Sequence, residues 1–166
     1  MKETFTSAEL GSRVLAGDSL GRRRSSAFSH DDLRRVARLR DEARQYGLLG
    51  VDVLDSMTEE QMADAYNGIG PASFPPSLRQ AIDGLLPTLR CVALIHDVRW
   101  AYSDGSPEQF KASNDEFAKN GAAVARAIYR WHPLRRMRLK GIAKVFADLC
   151  SSSAGWSAYL AVRRWR

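Results

Sequence analysis

The chain has 166 residues, with 25 Lys or Arg against 19 Asp or Glu and a net charge of +6. That length supports one full core and is short for two ordinary domains. No apolar run approaches the roughly 20 residues that a bilayer-spanning helix needs. The two cysteines, Cys91 and Cys150, are too few for a disulfide framework, and with three widely spaced histidines they make no zinc pattern.

In chain order, residues 1–28 are polar and rich in Ser, Gly and Arg, and read as a flexible N-terminal arm. They contain no apolar stretch of signal-peptide type. Arg22-Arg23-Arg24 is followed by the charged run His30 to Arg35, which excludes a twin-arginine signal. Residues 29–166 read as a single helical domain with a basic C-terminal extension over about 131–166. From Asp31, Leu33, Val36, Leu39 and Ala43 form one helical stripe, with Gly47 as the stop. Thr58 and Gln61 predict a capping box at the head of a short helix. Tyr66 to Pro76 holds two glycines and three prolines and is expected to be a fixed loop. Ser77 can cap a further short helix to about Leu86.

The centre predicts an antiparallel helical hairpin. Pro87-Thr88 opens its first helix, and Asp104-Gly105 closes it. Ser106, Pro107 and Gln109 start the second, whose inward seam is Phe110, Asn114, Phe117, Gly121, Val124 and Ile128. Trp131-His132-Pro133 predicts a break, then a basic helix from Leu134 to Cys150 and a last segment carrying Trp156, Tyr159, Leu160 and Trp165. No strand is expected, so the fold class is all-α: a central hairpin carrying the site, flanked by short helices.

The first hairpin helix, Leu89 to Tyr102, is apolar on nearly every face, so an ionisable pair within it is costly unless partnered. It contains His96-Asp97. Alone, that pair reads as a satisfied core histidine beside an aspartate held by Arg99. The hairpin suggests more, because His96 and Asp115 are equidistant from a turn centred between Gly105 and Ser106. They are expected to face each other, with the small Ala118 and Ala122 allowing close approach. A carboxylate on one ring nitrogen leaves the other free to take a proton from water. Asp97 lies about 100° further round the helix, where it is suited to holding a cation. Calcium takes oxygen ligands, including the backbone carbonyls that a glycine-rich loop presents.

Together, Tyr66-x-Gly68-x-Gly70, His96-Asp97 with Trp100 four residues on, and Asp115 on the following helix resemble the phospholipase A2 superfamily. The lack of disulfides is more similar to its bacterial and parvoviral-capsid members, and the likeness covers roughly residues 66–121. It implies calcium-dependent hydrolysis of phospholipid sn-2 esters, with His96 as general base and Asp115 orienting it. It implies Asp97 and the carbonyls of Tyr66, Gly68 and Gly70 as calcium ligands. Trp100 stands where the family usually has tyrosine, and Ser77 to Leu86 lengthens the gap between loop and histidine.

Charge is divided unevenly. Residues 126–166 hold ten Lys or Arg and one acid, a net of +9, while residues 1–125 carry −3. This asymmetry predicts an anionic partner. Three readings stay open for the basic end: a core-packing helix with a solvated face, docking on anionic phospholipid membrane, and nucleic-acid binding. Ile142, Val145, Phe146 and Leu149 form an apolar i, i+3, i+4, i+7 stripe there, and in the second reading tryptophans would lie at headgroup depth with cations over phosphates. The alternatives to a hydrolase are a virion or phage-tail component that keeps the fold with little activity, and a nucleic-acid-binding domain. Synthesis in the cytoplasm is expected, with packaging in a viral or phage particle, or a non-Sec route, as the means of delivery.

Overall fold

The computed structural model describes residues 28–69, 77, 82–84 and 86–162. The expected N-terminal arm lies almost wholly outside these, as does most of the short helix after Ser77. The described residues are helical, with no strand among them.

Helix α1, His30–Gln45, begins where the Ser29 hydroxyl accepts the Asp32 amide at 3.2 Å, and it buries Val36, Leu39 and Ala43. Gly47 follows at φ +60°, the left-handed conformation that stops the helix. The short α2, Val51–Asp55, leads to α3, Glu59–Ala65, which opens on the expected Thr58–Gln61 capping box. A 3₁₀ turn, Pro87–Leu89, feeds α4, Arg90–Ala101.

Helix α4 is the centre of the molecule. Cys91, Val92, Ala93, Leu94, Ile95, Val98 and Ala101 are all buried, and α1, α2, α3, α5 and the last helix pack around it. The turn to α5, Pro107–Ile128, is tightly built. Ser106 caps Gln109 at 3.2 Å, Gln109 accepts the Asp104 amide at 3.0 Å, and Asp104 accepts the Ser106 amide at 2.7 Å. Gly105 sits at φ +83°, a conformation that side chains with a Cβ rarely adopt. Helix α6, Pro133–Cys150, then runs back along α5, and α7, Ser153–Val162, folds over the hairpin's turn end.

Helices α5 and α6 form the most extensive pairing. They meet where Gly121 faces Ala143, so closely that a Cβ on Gly121 would overlap that of Ala143. A second tie crosses the fold. The Asn120 side chain on α5 accepts the Leu49 amide at 2.8 Å and donates to the Leu49 carbonyl at 2.9 Å.

Candidate functional site

His96 is 6 % exposed, in the middle of α4. Its Nε2 lies 2.9 Å from Oδ1 of Asn114 on α5, which is 1 % exposed. With the amide oxygen toward the ring, Nε2 is the donor in this contact. Nδ1 lies 3.6 Å from Oδ1 of Asp97, beyond hydrogen-bond length but within direct electrostatic reach. The other Asp97 oxygen, Oδ2, accepts the backbone amide of Asn67 at 2.8 Å. Imidazole, carboxylate and glycine loop are therefore contiguous.

The residue facing His96 is thus Asn114, and the expected placement of Asp115 is corrected. Asp115 is exposed and binds Lys111 one turn earlier at 2.6 Å, which holds its carboxyl below the usual range. One residue is about 100° of helix rotation, so a one-residue error in register turns a side chain from the interface to solvent. The inward seam of α5 already contained Asn114, and that was the signal for the facing residue. Arg99 pairs with Glu116 at 3.3 Å rather than with Asp97. Asn114 Nδ2 is buried without a hydrogen-bond partner among the described residues.

The loop is held by a charge cluster that sequence spacing did not reveal. Tyr66 donates its phenol to Asp83 at 3.4 Å, Arg35 lies 5.3 Å from the centre of the Tyr66 ring, and Asp83 pairs with both Arg35 and Arg90 at 2.9 Å. Burial, reinforced by Asp83, pushes the Tyr66 phenol well up, so it stays protonated. Gly68 adopts φ +83°, which turns the chain from Tyr66 toward the buried Ile69. Of the expected calcium ligands, Asp97, Tyr66 and Gly68 fall in this one neighbourhood, and Gly70 lies outside the described residues.

An aromatic wall backs the imidazole. Trp100 lies 4.5 Å from His96 between ring centres, Phe117 lies edge-on at 5.4 Å, and Phe110, Trp156 and Tyr159 continue the cluster. Trp100 donates its indole N–H to Ser113 at 3.0 Å, which fixes the ring beside the histidine. Tyr159 is fully buried and its hydroxyl reaches the Ser106 carbonyl at 3.3 Å. Tyr159 and Trp156 of the basic segment thus pack behind the site, Tyr159 buried and Trp156 half-buried. Trp165 lies outside the described residues.

Asp97 offers a carboxylate oxygen to a hard cation, but the loop turns the Asn67 amide N–H toward it, and the Tyr66 carbonyl, trans to that N–H in the same peptide, points the other way. Among the described residues no three His, Cys, Asp or Glu side chains come together as a metal cluster. An ion here would thus be held by one charge and neutral oxygens. Burial pushes the Cys91 and Cys150 thiols up to about 12, which leaves neither as a nucleophile near neutral pH. No family model, curated protein or solved structure matches this chain. Among the described residues no helix is long and apolar enough to cross a membrane.

Proposed function

We propose that this chain hydrolyses phospholipid acyl (sn-2) esters, with His96 activating the attacking water and calcium held at Asp97. The supporting observation is the two-sided environment of His96, with Asn114 on Nε2 and Asp97 with its bonded loop on Nδ1. His96 takes the water's proton on Nδ1 as the oxygen attacks the ester carbonyl, then gives that proton to the departing alkoxide. Throughout, Asn114 Oδ1 keeps the Nε2 proton and so keeps Nδ1 the basic nitrogen. Calcium, when bound, supplies Lewis-acid stabilisation of the oxyanion and a contact for the substrate phosphate. Trp100 and Phe117 hold the ring plane and keep bulk water from its back.

Fatty-acid release from mixed phospholipid vesicles is expected to need calcium and to stop on chelation. Because one carboxylate supplies the ligand charge, half-saturation is expected at roughly 10⁻⁴–10⁻³ M, the range of weak oxygen sites. Asp97→Asn should raise that concentration at least about tenfold, the effect of 1.4 kcal/mol in binding. Unchanged release in chelator would reject the mechanism. Unaltered calcium affinity in Asp97→Asn would remove that residue from the ion. The positive charge of 126–166 favours a second reading, nucleic-acid binding. A steep salt slope on duplex DNA with no ester hydrolysis would select it.

A further inference from the structure

The carboxylate of Asp97 is approached from two sides. Its Oδ1 faces the imidazole, 3.6 Å from His96 Nδ1, on the side where a water must stand to lose its proton. Its Oδ2 accepts the Asn67 amide at 2.8 Å. A cation meeting the oxygen away from the imidazole therefore meets the positive end of an N–H dipole. The Tyr66–Asn67 peptide is trans, so the Tyr66 carbonyl points away from the carboxylate. The loop presents a hydrogen-bond donor where an oxygen-seeking ion needs an acceptor.

One rotation exchanges the two. Turning the plane of the Tyr66–Asn67 peptide over by about 180° changes ψ of Tyr66 and φ of Asn67, the two soft dihedrals that flank it. Tyr66 stands at φ −72° and ψ 114°, so a half-turn carries its ψ to about −66° (114 − 180), within the right-handed helical region. That would add Tyr66 to the end of α3. Asn67, which has no positive φ as it stands, would move to a positive one just past the helix end. Glycine and, after it, asparagine are the residues that accept a left-handed conformation at that position. The flanks can stay where they are. The Tyr66 amide is bonded to the Met62 carbonyl at 2.9 Å, its phenol is tied to Asp83, and Ile69 is buried. Gly68, already at φ +83°, is a joint without a Cβ between the peptide and Ile69.

We infer that the Tyr66–Asn67 peptide is a latch on Asp97, closed by the Asn67 N–H and turned over by calcium, so that the Tyr66 carbonyl replaces the amide. The latch rests on reading Asp97 as the calcium carboxylate. Its use is electrostatic. The Asp97 side chain is only 14 % exposed, beside a buried imidazole, and a carboxylate so placed is costly without a donor. The N–H supplies one until a cation takes over, so the charge passes from one partner to the next without being left bare.

The test follows the Asn67 amide by isotope-edited NMR of the full chain as calcium chloride is added, beside a calorimetric titration of calcium affinity. Bonded to a carboxylate, the Asn67 proton is expected to start downfield, to move upfield with calcium and to lose its protection from hydrogen exchange. In Asp97→Asn the same calcium concentration should leave it in place. Asn67→Gly should tighten calcium binding about threefold, because glycine enters positive φ most readily. Asn67→Val should weaken it about tenfold or more, because a β-branched residue hardly enters that region. Both variants keep the main-chain N–H and remove the asparagine side chain, so opposite signs report the backbone and not a lost contact. Asn67 is exposed, and circular dichroism is expected to be unchanged in both. Calcium bound with the Asn67 amide unmoved overturns the latch and leaves the calcium site standing. So do glycine and valine variants that change the affinity alike. Failure of all these chains to bind calcium overturns the latch together with the calcium reading. An amide released by calcium, with no fatty acid freed from phospholipid vesicles, rejects the hydrolase and keeps the latch.

Discussion

His96→Gln is expected to lower ester hydrolysis by roughly 10²–10⁴, the usual contribution of a positioned general base. Glutamine fills much of the same volume, and its amide can still meet Asn114, so the fold should survive. What it lacks is a nitrogen that accepts a proton from water near neutral pH. Measured at saturating calcium, the loss should fall on kcat, with calcium affinity intact. Two neighbours sharpen the test. Asn114→Ala removes the oxygen that holds the ring and should cost up to about 10²-fold, the scale of a small misplacement of a catalytic group. Asp115→Ala, at an exposed site paired with Lys111, should leave the rate unchanged. A reversed order, with Asp115 essential and Asn114 dispensable, would refute the arrangement.

Gly121→Val is expected to be strongly destabilising. A Cβ there overlaps that of Ala143 on α6, and Leu89 stands 3.7 Å away on the other side. Two helix backbones must part to admit it, and overpacking of this kind costs about 3 kcal/mol. For a chain of this size that is a fall in Tm of roughly 10 °C. In an exposed helix, replacing Gly would instead tend to stabilise through propensity, so the sign itself is diagnostic. Ala143→Gly in the same chain should recover part of the loss, because the two positions share one space. Thermal unfolding of the single and double variants measures both effects, and additive losses would show that Gly121 and Ala143 do not meet.

Features governed by neighbouring residues were legible in the sequence. The Thr58–Gln61 box, the Ser106-Pro107-Gln109 start and the Gly47 stop appear where their local chemistry put them. The all-α class was legible as well. The register of α4 against α5 was not, because equal distance from the turn fixes the level along two helices and says nothing of rotation. Burial does: the seam through Phe110, Asn114 and Phe117 brought Asn114 inward and left Asp115 to Lys111. Contacts between residues far apart in the chain left no pattern to read. Asp83 with Arg35 and Arg90 is one such contact. The basic segment divided for the same reason, since composition alone does not distinguish an aromatic that closes a core from one that meets a surface. Tyr159 is the first kind and Trp131 the second.

The clasp of Asn120 on Leu49 has a consequence for how the molecule opens. Leu49 lies in the connection between α1 and α2, and its side chain is half exposed, yet both its main-chain groups are bound by one amide from α5. Such a connection would ordinarily fluctuate open by itself, and its amide would trade hydrogen for deuterium quickly. Here release of that amide requires α5 to withdraw. The Leu49 amide should therefore exchange as slowly as those in the middle of α4, and Asn120→Ala should free it selectively.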